Sequence, residues 1–211
     1  NSISYAVYGT LGIFGGTIEL WMRMTSVFAS LGSIVFIYLI GAKYASERVG
    51  LLSALFFSII PYSVFYSRAI LPESSLVFFS LAMIWFFGLW SDKGKLRYYV
   101  LAVVFGMGAL LIKPIAGFIF LPLLYLWYRK KKYSLYSVAL LIGFFTLVLS
   151  PLYLWRLWIQ QFPEGIPAWR WLLNSNGIRF RPAFFRWMVW ERLTRLILGY
   201  TGIAVLAAGG A

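Results

Sequence analysis

The fold class is decided by the stretch RYYVLAVVFGMGALLIKPIAGFIFLPLLYLWYR, from Arg97 to Arg129. Its inner residues carry a single charge, on Lys113, and Pro114 follows that lysine directly. Each half of the stretch is apolar and about fifteen residues long, which predicts a helix of about 22 Å, shorter than the roughly 30 Å hydrocarbon core of a bilayer. We therefore predict a helical hairpin whose turn, at Lys113, lies below the membrane surface.

The rest of the chain has the same apolar character. Of its 211 residues, 62% are hydrophobic and 12% are charged, whereas a soluble domain has about 45 to 50% apolar and about 25% charged residues. Apolar runs bounded by charges or prolines predict about seven membrane helices. These are expected at Thr25 to Ala42, Val49 to Tyr66, Ser74 to Trp90, Tyr98 to Ile112, Pro114 to Tyr128, Ser134 to Trp155 and from Leu193 onward. The predicted fold is an all-α, polytopic transmembrane helical bundle, with one domain over residues 1–211.

One long segment, residues 156–191, is expected to form an external loop between the last two spans. Its first half contains three prolines, two glycines and the turn sequence NSNG, which predicts a loop with short helical pieces. Its second half, from Ala183, combines large apolar residues such as Phe185 and Met188 with the charged residues Glu191 and Arg192. This pattern predicts an interfacial amphipathic helix that leads into the last span.

The residue types that are missing restrict the chemistry. The chain has no Cys and no His, which excludes disulfides, thiol nucleophiles, zinc sites with nitrogen or sulfur ligands and a histidine general base. Any reaction must therefore use carboxylates, Arg, Lys, Tyr or hydroxyl groups.

The charge of the chain is strongly positive. Nineteen Lys and Arg residues against six acids give a formal net charge of +13. Because these cations are dispersed between apolar runs, nucleic acid is not an expected partner, whereas membrane lipids or an anionic substrate are.

Three short connections concentrate the cations: Lys43 to Arg48, Asp92 to Arg97, and Arg129 to Lys132. The positive-inside rule places these basic loops in the cytoplasm. The remaining cations then face outward, either to contact headgroups or to bind an anion at an outer site. The sequence lacks an Asn-x-Ser/Thr sequon, so we expect a multi-pass protein of a prokaryotic plasma (inner) membrane.

The first candidate site is YSRAILPE, from Tyr66 to Glu73. Pro72 favours a helix start that places Glu73 in the first turn, where the helix dipole stabilises a carboxylate. In a structural interpretation, Glu73 starts the helix and Arg68 extends to the interface. In a functional interpretation, the two side chains line a cavity that opens outward.

Two further positive sites have similar alternatives. Lys113 either caps a helix beside the helix-starting Pro114 or contacts a phosphate at the buried turn. Arg192 and Arg195 are helical neighbours in the external segment. Their guanidinium groups fit either lipid headgroups or a phosphate with an isoprenoid or acyl chain below it.

The order of these motifs resembles that of a known enzyme group. FGGTIELWMRMTS, from Phe14 to Ser26, resembles the segment before the second membrane helix of GT-C sugar transferases of glycosyltransferase family 39, which include protein O-mannosyltransferases and aminoarabinose transferases. YLIGAKYASERVGLLSALFFSIIPYSVFYSRAILPE is similar to their next two helices, and GALLIKPIAGFIFLPLLYLW to their Lys-Pro hairpin. The resemblance covers most of Phe14 to Tyr128.

The resemblance implies a GT-C fold and a membrane glycosyltransferase. Such enzymes pass a sugar from a polyprenyl-phosphate donor to an acceptor on the outer face, where the acceptor is a protein hydroxyl, a lipid or a glycan. It implies no fixed cofactor, and because some GT-C enzymes use a divalent metal, the metal requirement stays open. Glu73 matches an Asp or Glu of the family that lines the active cavity, and Glu19 matches a frequent acid ahead of the second helix. The residues expected at the lipid phosphate are Arg68, Lys113, Arg23, Arg192 and Arg195, of which the first three match family positions.

The sequence departs from the family pattern in one respect. The principal catalytic acid of these enzymes lies in the first external loop, upstream of the matched segment. The chain begins at Asn1 without a signal-peptide pattern and ends in AAGGA inside an apolar run, so we expect a fragment that lacks the first helix and that loop. Two non-enzymatic alternatives stay open: a lipid-phosphate carrier or flippase, and a non-catalytic membrane scaffold subunit. An acidic residue in the loop upstream of Asn1 would favour the transferase over both.

Overall fold

The computed structural model of the chain describes residues 9–10, 17–129, 134–162 and 177–199. Within these ranges the regular structure is helical and contains no strand. The all-α membrane bundle predicted from the sequence is therefore confirmed.

Eight α-helices, numbered in chain order, make up most of the described part. Two short 3-10 helices, Pro114–Ile119 and Ile178–Phe180, and one π-helix, Trp187–Leu198, accompany them. The α-helices are α1 (Ile18–Tyr44), α2 (Glu47–Ile59), α3 (Pro61–Arg68), α4 (Glu73–Lys93), α5 (Leu96–Ile112), α6 (Phe120–Arg129), α7 (Leu135–Ile159) and α8 (Pro182–Arg186).

The described helices differ in their ability to cross a membrane. Helices α1, α4 and α7 are long and apolar enough to span it, and α2 with α3 would make a fourth span. Helix α5 and the segment that contains α6 are shorter, as the sequence predicts for this hairpin. Each of the six predicted spans between Thr25 and Trp155 falls on described helical structure. Of the described helices, however, three or four are long and apolar enough to cross a membrane, compared with the seven spans predicted for the chain. Most of the seventh, from Leu193 onward, lies outside the described residues.

The second predicted span, Val49 to Tyr66, is not one continuous helix. Helix α2 ends at Ile59, and α3 starts at Pro61 with a bend of 62°. Ile60 between them has φ −59° and ψ 129°, because a residue before proline is driven out of the helical region. The range predicted as one helix, Val49 to Tyr66, is therefore divided into two helices that can together make one span. A cavity lies beside the bend.

Helix α4 lies at the centre of the bundle. Half of the residues in its most apolar stretch are buried, compared with 11% in the corresponding stretch of α1 and 17% in that of α7. The core contains Met83 and Phe87 of α4, packed with buried residues of α5, α6 and α7 such as Leu110, Leu123 and Phe144. Helices α1 and α7 leave large apolar side chains exposed, as expected of surfaces that face lipid.

Helices α1 and α2 form a tight antiparallel hairpin. Ser46 caps α2 by accepting a hydrogen bond from the backbone amide of Val49. A Cβ atom on Gly41 would lie 2.7 Å from the Cα of Gly50, so the two glycines let the helix backbones approach closely. The basic turn between the helices is therefore held at a fixed end of the bundle.

The segment after α7 begins later than the sequence predicts. Arg156 lies in the last turn of α7, which continues to Ile159, so the helix contains the start of the predicted external loop. Residues 163–176 of that loop lie outside the described part. The predicted interfacial helix from Ala183 corresponds to α8 and the π-helix, in which Thr194 Oγ1 donates to the carbonyl of Val189, five residues earlier.

Candidate functional site

Two of the predicted site residues, Glu73 and Lys113, form an ion pair between helices. Lys113 Nζ lies 2.5 Å from Oε1 of Glu73. Glu73 is the first residue of α4, and Lys113 follows the last residue of α5 directly. Their side chains are 21% and 39% exposed, so the pair is only partly hydrated. The lysine at the hairpin turn is thus neutralised by a carboxylate of the protein itself.

The second carboxylate oxygen of Glu73 has a different environment. Oε2 is buried and has no hydrogen-bond partner among the described residues. Glu73 also lines a cavity of about 110 Å³ between α1, α2, α3 and α4. Seven of its ten lining residues carry a hydroxyl or carboxyl group: Ser30, Ser33, Tyr62, Ser63, Tyr66, Glu73 and Ser74. We call this space the hydroxyl cavity. Two of these hydroxyl groups, on Ser33 and Ser74, donate to backbone carbonyls, and most of the accessible wall is apolar. A ligand in this cavity would therefore find a few polar contacts within an apolar surface.

The link between α3 and α4 is fixed by hydrogen bonds to its carbonyl groups. Ser74 Oγ donates to the carbonyl of Tyr66, Ser26 Oγ donates to that of Ala69, and Arg23 Nη1 donates to that of Arg68. The last carbonyls of a helix have no partner within the helix. These three side chains supply partners at the end of α3 and so position both Arg68 and Glu73.

A second cavity, of about 550 Å³, lies beside the bend between α2 and α3. We call it the arginine cavity, because Arg23 and Arg68 line it together with Ile59, Pro61, Val64, Phe65 and Ala69. Arg23 also pairs with Glu19 at 2.7 Å. The Arg68 guanidinium is exposed and has no ion pair or hydrogen bond within the ranges that the structure covers.

Arg68 and Glu73 line different cavities among those formed by the described residues, whereas the functional interpretation of their motif places them in one. Helix α3 presents Tyr62, Ser63 and Tyr66 to the hydroxyl cavity, and Val64, Phe65 and Arg68 to the arginine cavity. The helical repeat of 3.6 residues places these two sets on different faces. The two predicted site residues therefore lie on either side of α3.

Arg192 and Arg195 have partners within the π-helix. Arg195 Nη1 lies 3.0 Å from Oε2 of Glu191, and the Arg192 guanidinium lies 4.6 Å from the centre of the Trp187 ring. The π-helix packs against α3, but neither arginine lines the arginine cavity. The structure thus brings together Arg23 with Arg68, and Glu73 with Lys113. The contacts described for Arg192 and Arg195 are with Trp187 and Glu191.

Sequence reasoning missed the serines of the hydroxyl cavity. Ser30 and Ser33 line this cavity. Together with Ser26 they recur at helical spacing along α1, a pattern that places hydroxyl groups on one helix face.

The described residues contain no group of three acidic, His or Cys side chains that could hold a metal ion.

Comparisons with known proteins point to one family. Residues 3–155, more than half of the chain, match the family profile described as dolichyl-phosphate-mannose-protein mannosyltransferase. A protein of Aquifex aeolicus (strain VF5), named only as an uncharacterized protein, is 31% identical over 147 residues. That alignment covers 68% of this chain and 32% of the relative, so the chain spans about a third of the length of the relative it matches. No solved structure matches the chain.

Proposed function

The chain belongs to the dolichyl-phosphate-mannose-protein mannosyltransferase family, and on this basis we propose that the full-length protein is a membrane glycosyltransferase. It takes a sugar from a polyprenyl-phosphate donor and transfers it to an acceptor on the outer face of the plasma membrane. The acceptor is a protein hydroxyl, a lipid or a glycan. The observation that carries the proposal is the pair of cavities on the two faces of α3, one lined by arginines and one by hydroxyl groups.

In this proposal, the arginine cavity binds the donor phosphate. The Arg68 guanidinium is free to form a bidentate contact with phosphate oxygens. The charge of Arg23 is offset by Glu19, and its hydrogen bond to the Arg68 carbonyl holds the Arg68 backbone in place. Ile59, Val64 and Phe65 supply an apolar wall beside the two arginines. That arrangement suits a lipid phosphate, whose charged group must lie next to a long hydrocarbon chain.

The hydroxyl cavity would hold hydroxyl groups of the sugar or of the acceptor. The buried Oε2 of Glu73 can accept one hydrogen bond from such a group, while its other oxygen stays paired with Lys113. Lys113 orients this carboxylate. Because Lys113 does not line the arginine cavity, we propose that it affects the donor through the position of Glu73. Arg192 and Arg195, which have partners within the π-helix, are proposed as outer contacts for the lipid phosphate.

The chemistry requires stabilisation of a phosphate leaving group and removal of a proton from the acceptor. Arginine and lysine stabilise the leaving group electrostatically, without a histidine or a covalent nucleophile. A carboxylate removes the proton. Because Glu73 is held by Lys113, we propose that the principal base belongs to another part of the full-length protein.

A transfer assay on purified full-length protein tests the proposal. The protein is incubated in sealed proteoliposomes with polyprenyl phosphates that carry different radiolabelled sugars, together with membrane extract as the acceptor source. We expect one donor to be consumed, with label moving to an acceptor and free polyprenyl phosphate accumulating. Movement of the intact donor across the bilayer without cleavage would indicate a carrier, and neither cleavage nor movement would indicate a scaffold.

A further inference from the structure

A third cavity lies at the opposite end of the bundle from Glu73. Its volume is about 300 Å³, and it is lined by Lys43, Tyr44, Ser91, Asp92, Leu126 and Arg129. These residues come from the ends of α1, α4 and α6. The polar atoms around the space are therefore two cations, one carboxylate and two hydroxyl groups. We call this space the Lys43 cavity.

Lys43 is held rigidly in the wall of this cavity. Its Nζ atom is buried, lies 2.5 Å from Oδ2 of Asp92, and sits 5.1 Å and 5.3 Å from the ring centres of Tyr44 and Trp85. Gly88 makes this arrangement possible, since a Cβ atom there would overlap the Tyr44 hydroxyl. Because its Nζ atom is buried, Lys43 contributes a fixed positive charge beside the cavity, and not a direct hydrogen bond to a ligand.

Arg129 lacks the acidic partner that Lys43 has. Its guanidinium makes no ion pair or hydrogen bond in the part of the chain that the structure describes. Both cations lie in the last turn of a helix, where a positive charge is favoured by the dipole. Among the described residues, neither Lys43 nor Arg129 donates a hydrogen bond to a carbonyl group at the end of its helix. The two side chains therefore do not act as helix caps.

The side-chain charges in the cavity leave an excess of one positive charge, because Asp92 offsets one of the two cations. A phosphodiester carries one negative charge and has free oxygens that accept hydrogen bonds from guanidinium and hydroxyl groups. A neighbouring cavity of about 240 Å³ shares Ser91 and is lined by Trp90, Tyr99, Trp127 and Tyr136 among others. Aromatic side chains of this kind favour the headgroup level of a membrane.

We propose that the Lys43 cavity binds the phosphodiester group of an anionic membrane phospholipid. Arg129 makes the principal contact, Lys43 supplies the second positive charge, and Tyr44 and Ser91 offer hydroxyl groups. The site lies at the other end of the helices from the arginine cavity, and its existence does not depend on the proposed sugar transfer.

Native mass spectrometry of the full-length protein in detergent tests this site. The probes are phosphatidylglycerol, phosphatidylcholine and soluble glycerol phosphate. The test variant is Arg129→Gln, and the matched control is Lys93→Gln, which removes one positive charge from the same end of the bundle but does not line the cavity. Retention of phosphatidylglycerol should fall about fivefold or more in Arg129→Gln and stay unchanged in Lys93→Gln.

A third variant, Asp92→Asn, acts in the opposite direction. It removes the carboxylate that competes with the lipid for Lys43, so retention of phosphatidylglycerol should rise about threefold or more. Excess glycerol phosphate should not displace the lipid. Equal losses in Arg129→Gln and Lys93→Gln would indicate diffuse charge attraction and overturn the site. Equal retention of phosphatidylcholine, or weaker binding in Asp92→Asn, would overturn it as well, and displacement by glycerol phosphate would overturn the lipid as its ligand.

Discussion

Lys113 Nζ and Glu73 Oε1 lie 2.5 Å apart, although the two residues are forty positions apart in the sequence. The contact joins the start of α4 to the end of α5, the two helices that pack most extensively against each other. A lysine below the membrane surface is costly unless it meets an anion or water. In the structure it meets Glu73, whose second oxygen, Oε2, is buried and has no hydrogen-bond partner among the described residues.

The first prediction concerns the strength of this ion pair. In a double-mutant cycle of Glu73→Gln and Lys113→Met, the two changes should not add, and the coupling free energy should be about 1 to 2 kcal/mol. The value lies between those of exposed and fully buried pairs because both side chains are partly exposed. Unfolding of the purified protein in detergent, measured for the four proteins of the cycle, gives this energy. Additive effects would mean that the pair does not form in solution.

The second prediction concerns donor turnover. Arg68→Ala and Lys113→Ala should each lower the transfer rate about tenfold or more. Arg68→Ala removes a positive charge that stabilises the leaving phosphate, and Lys113→Ala removes the partner that holds the Glu73 carboxylate in place. Arg186→Ala is the matched control. Arg186 is an exposed arginine of α8, and it does not line the hydroxyl cavity, the arginine cavity or the Lys43 cavity. Turnover is measured with labelled donor, and unfolding temperature reports on folding. Wild-type turnover in both test variants would contradict the site assignment.

The third prediction concerns the hairpin of α1 and α2. A Cβ atom on Gly50 would lie 2.7 Å from the backbone carbonyl oxygen of Tyr38 and from the amide nitrogen of Ala42. Because neither backbone atom can move alone, Gly50→Ala should destabilise the protein by about 1 to 3 kcal/mol. Gly117→Ala, where a Cβ atom meets nothing within 4 Å, is the control for thermal unfolding. Equal unfolding temperatures for the two variants would show that the helices are not in close contact.

The fourth prediction concerns the link between α3 and α4. Ser26→Ala and Ser74→Ala each leave one carbonyl group without its hydroxyl donor and should each cost about 1 kcal/mol. The local effect should be larger than the global one, because the link has few other restraints. Hydrogen exchange followed by mass spectrometry should show faster exchange in the peptide that contains Ala69. Ser58→Ala, which removes a bond within α2 only, should leave that peptide unchanged. Unaltered exchange in both test variants would contradict the proposed role of these serines.

Much of the fold follows from apolar runs and their boundaries. The runs between basic turns predict the positions of α1, α4 and α7, because a segment in lipid must satisfy its backbone groups internally as a helix. The short hairpin on either side of Lys113 is also confirmed, since the charge and Pro114 together end one helix and begin the next. The bend at Ile60 was missed, although Pro61 is visible in the sequence, because a proline within a long apolar run does not by itself show whether the helix is kinked or broken.

The candidate site is less accessible to sequence reasoning. Glu73 and Lys113 are recognisable as unusual charges, but their pairing depends on how α4 packs against α5. The division of Arg68 and Glu73 between two cavities depends on the rotation of α3, which is set by contacts with α1 and α4. The serines of α1 carry a periodic signal, yet their partners across the hydroxyl cavity come from α3 and α4. Tertiary packing determines each of these features.

The most direct test of the proposed function is whether the arginine cavity binds a lipid phosphate. Native mass spectrometry of the full-length protein with polyprenyl phosphate should show one lipid retained by the wild type and by Arg186→Ala, and little or none retained by Arg68→Ala. Such a result would identify the cavity beside α3 as the donor site. Equal retention by all three proteins, or none by any of them, would contradict that assignment and favour arginines that only contact headgroups.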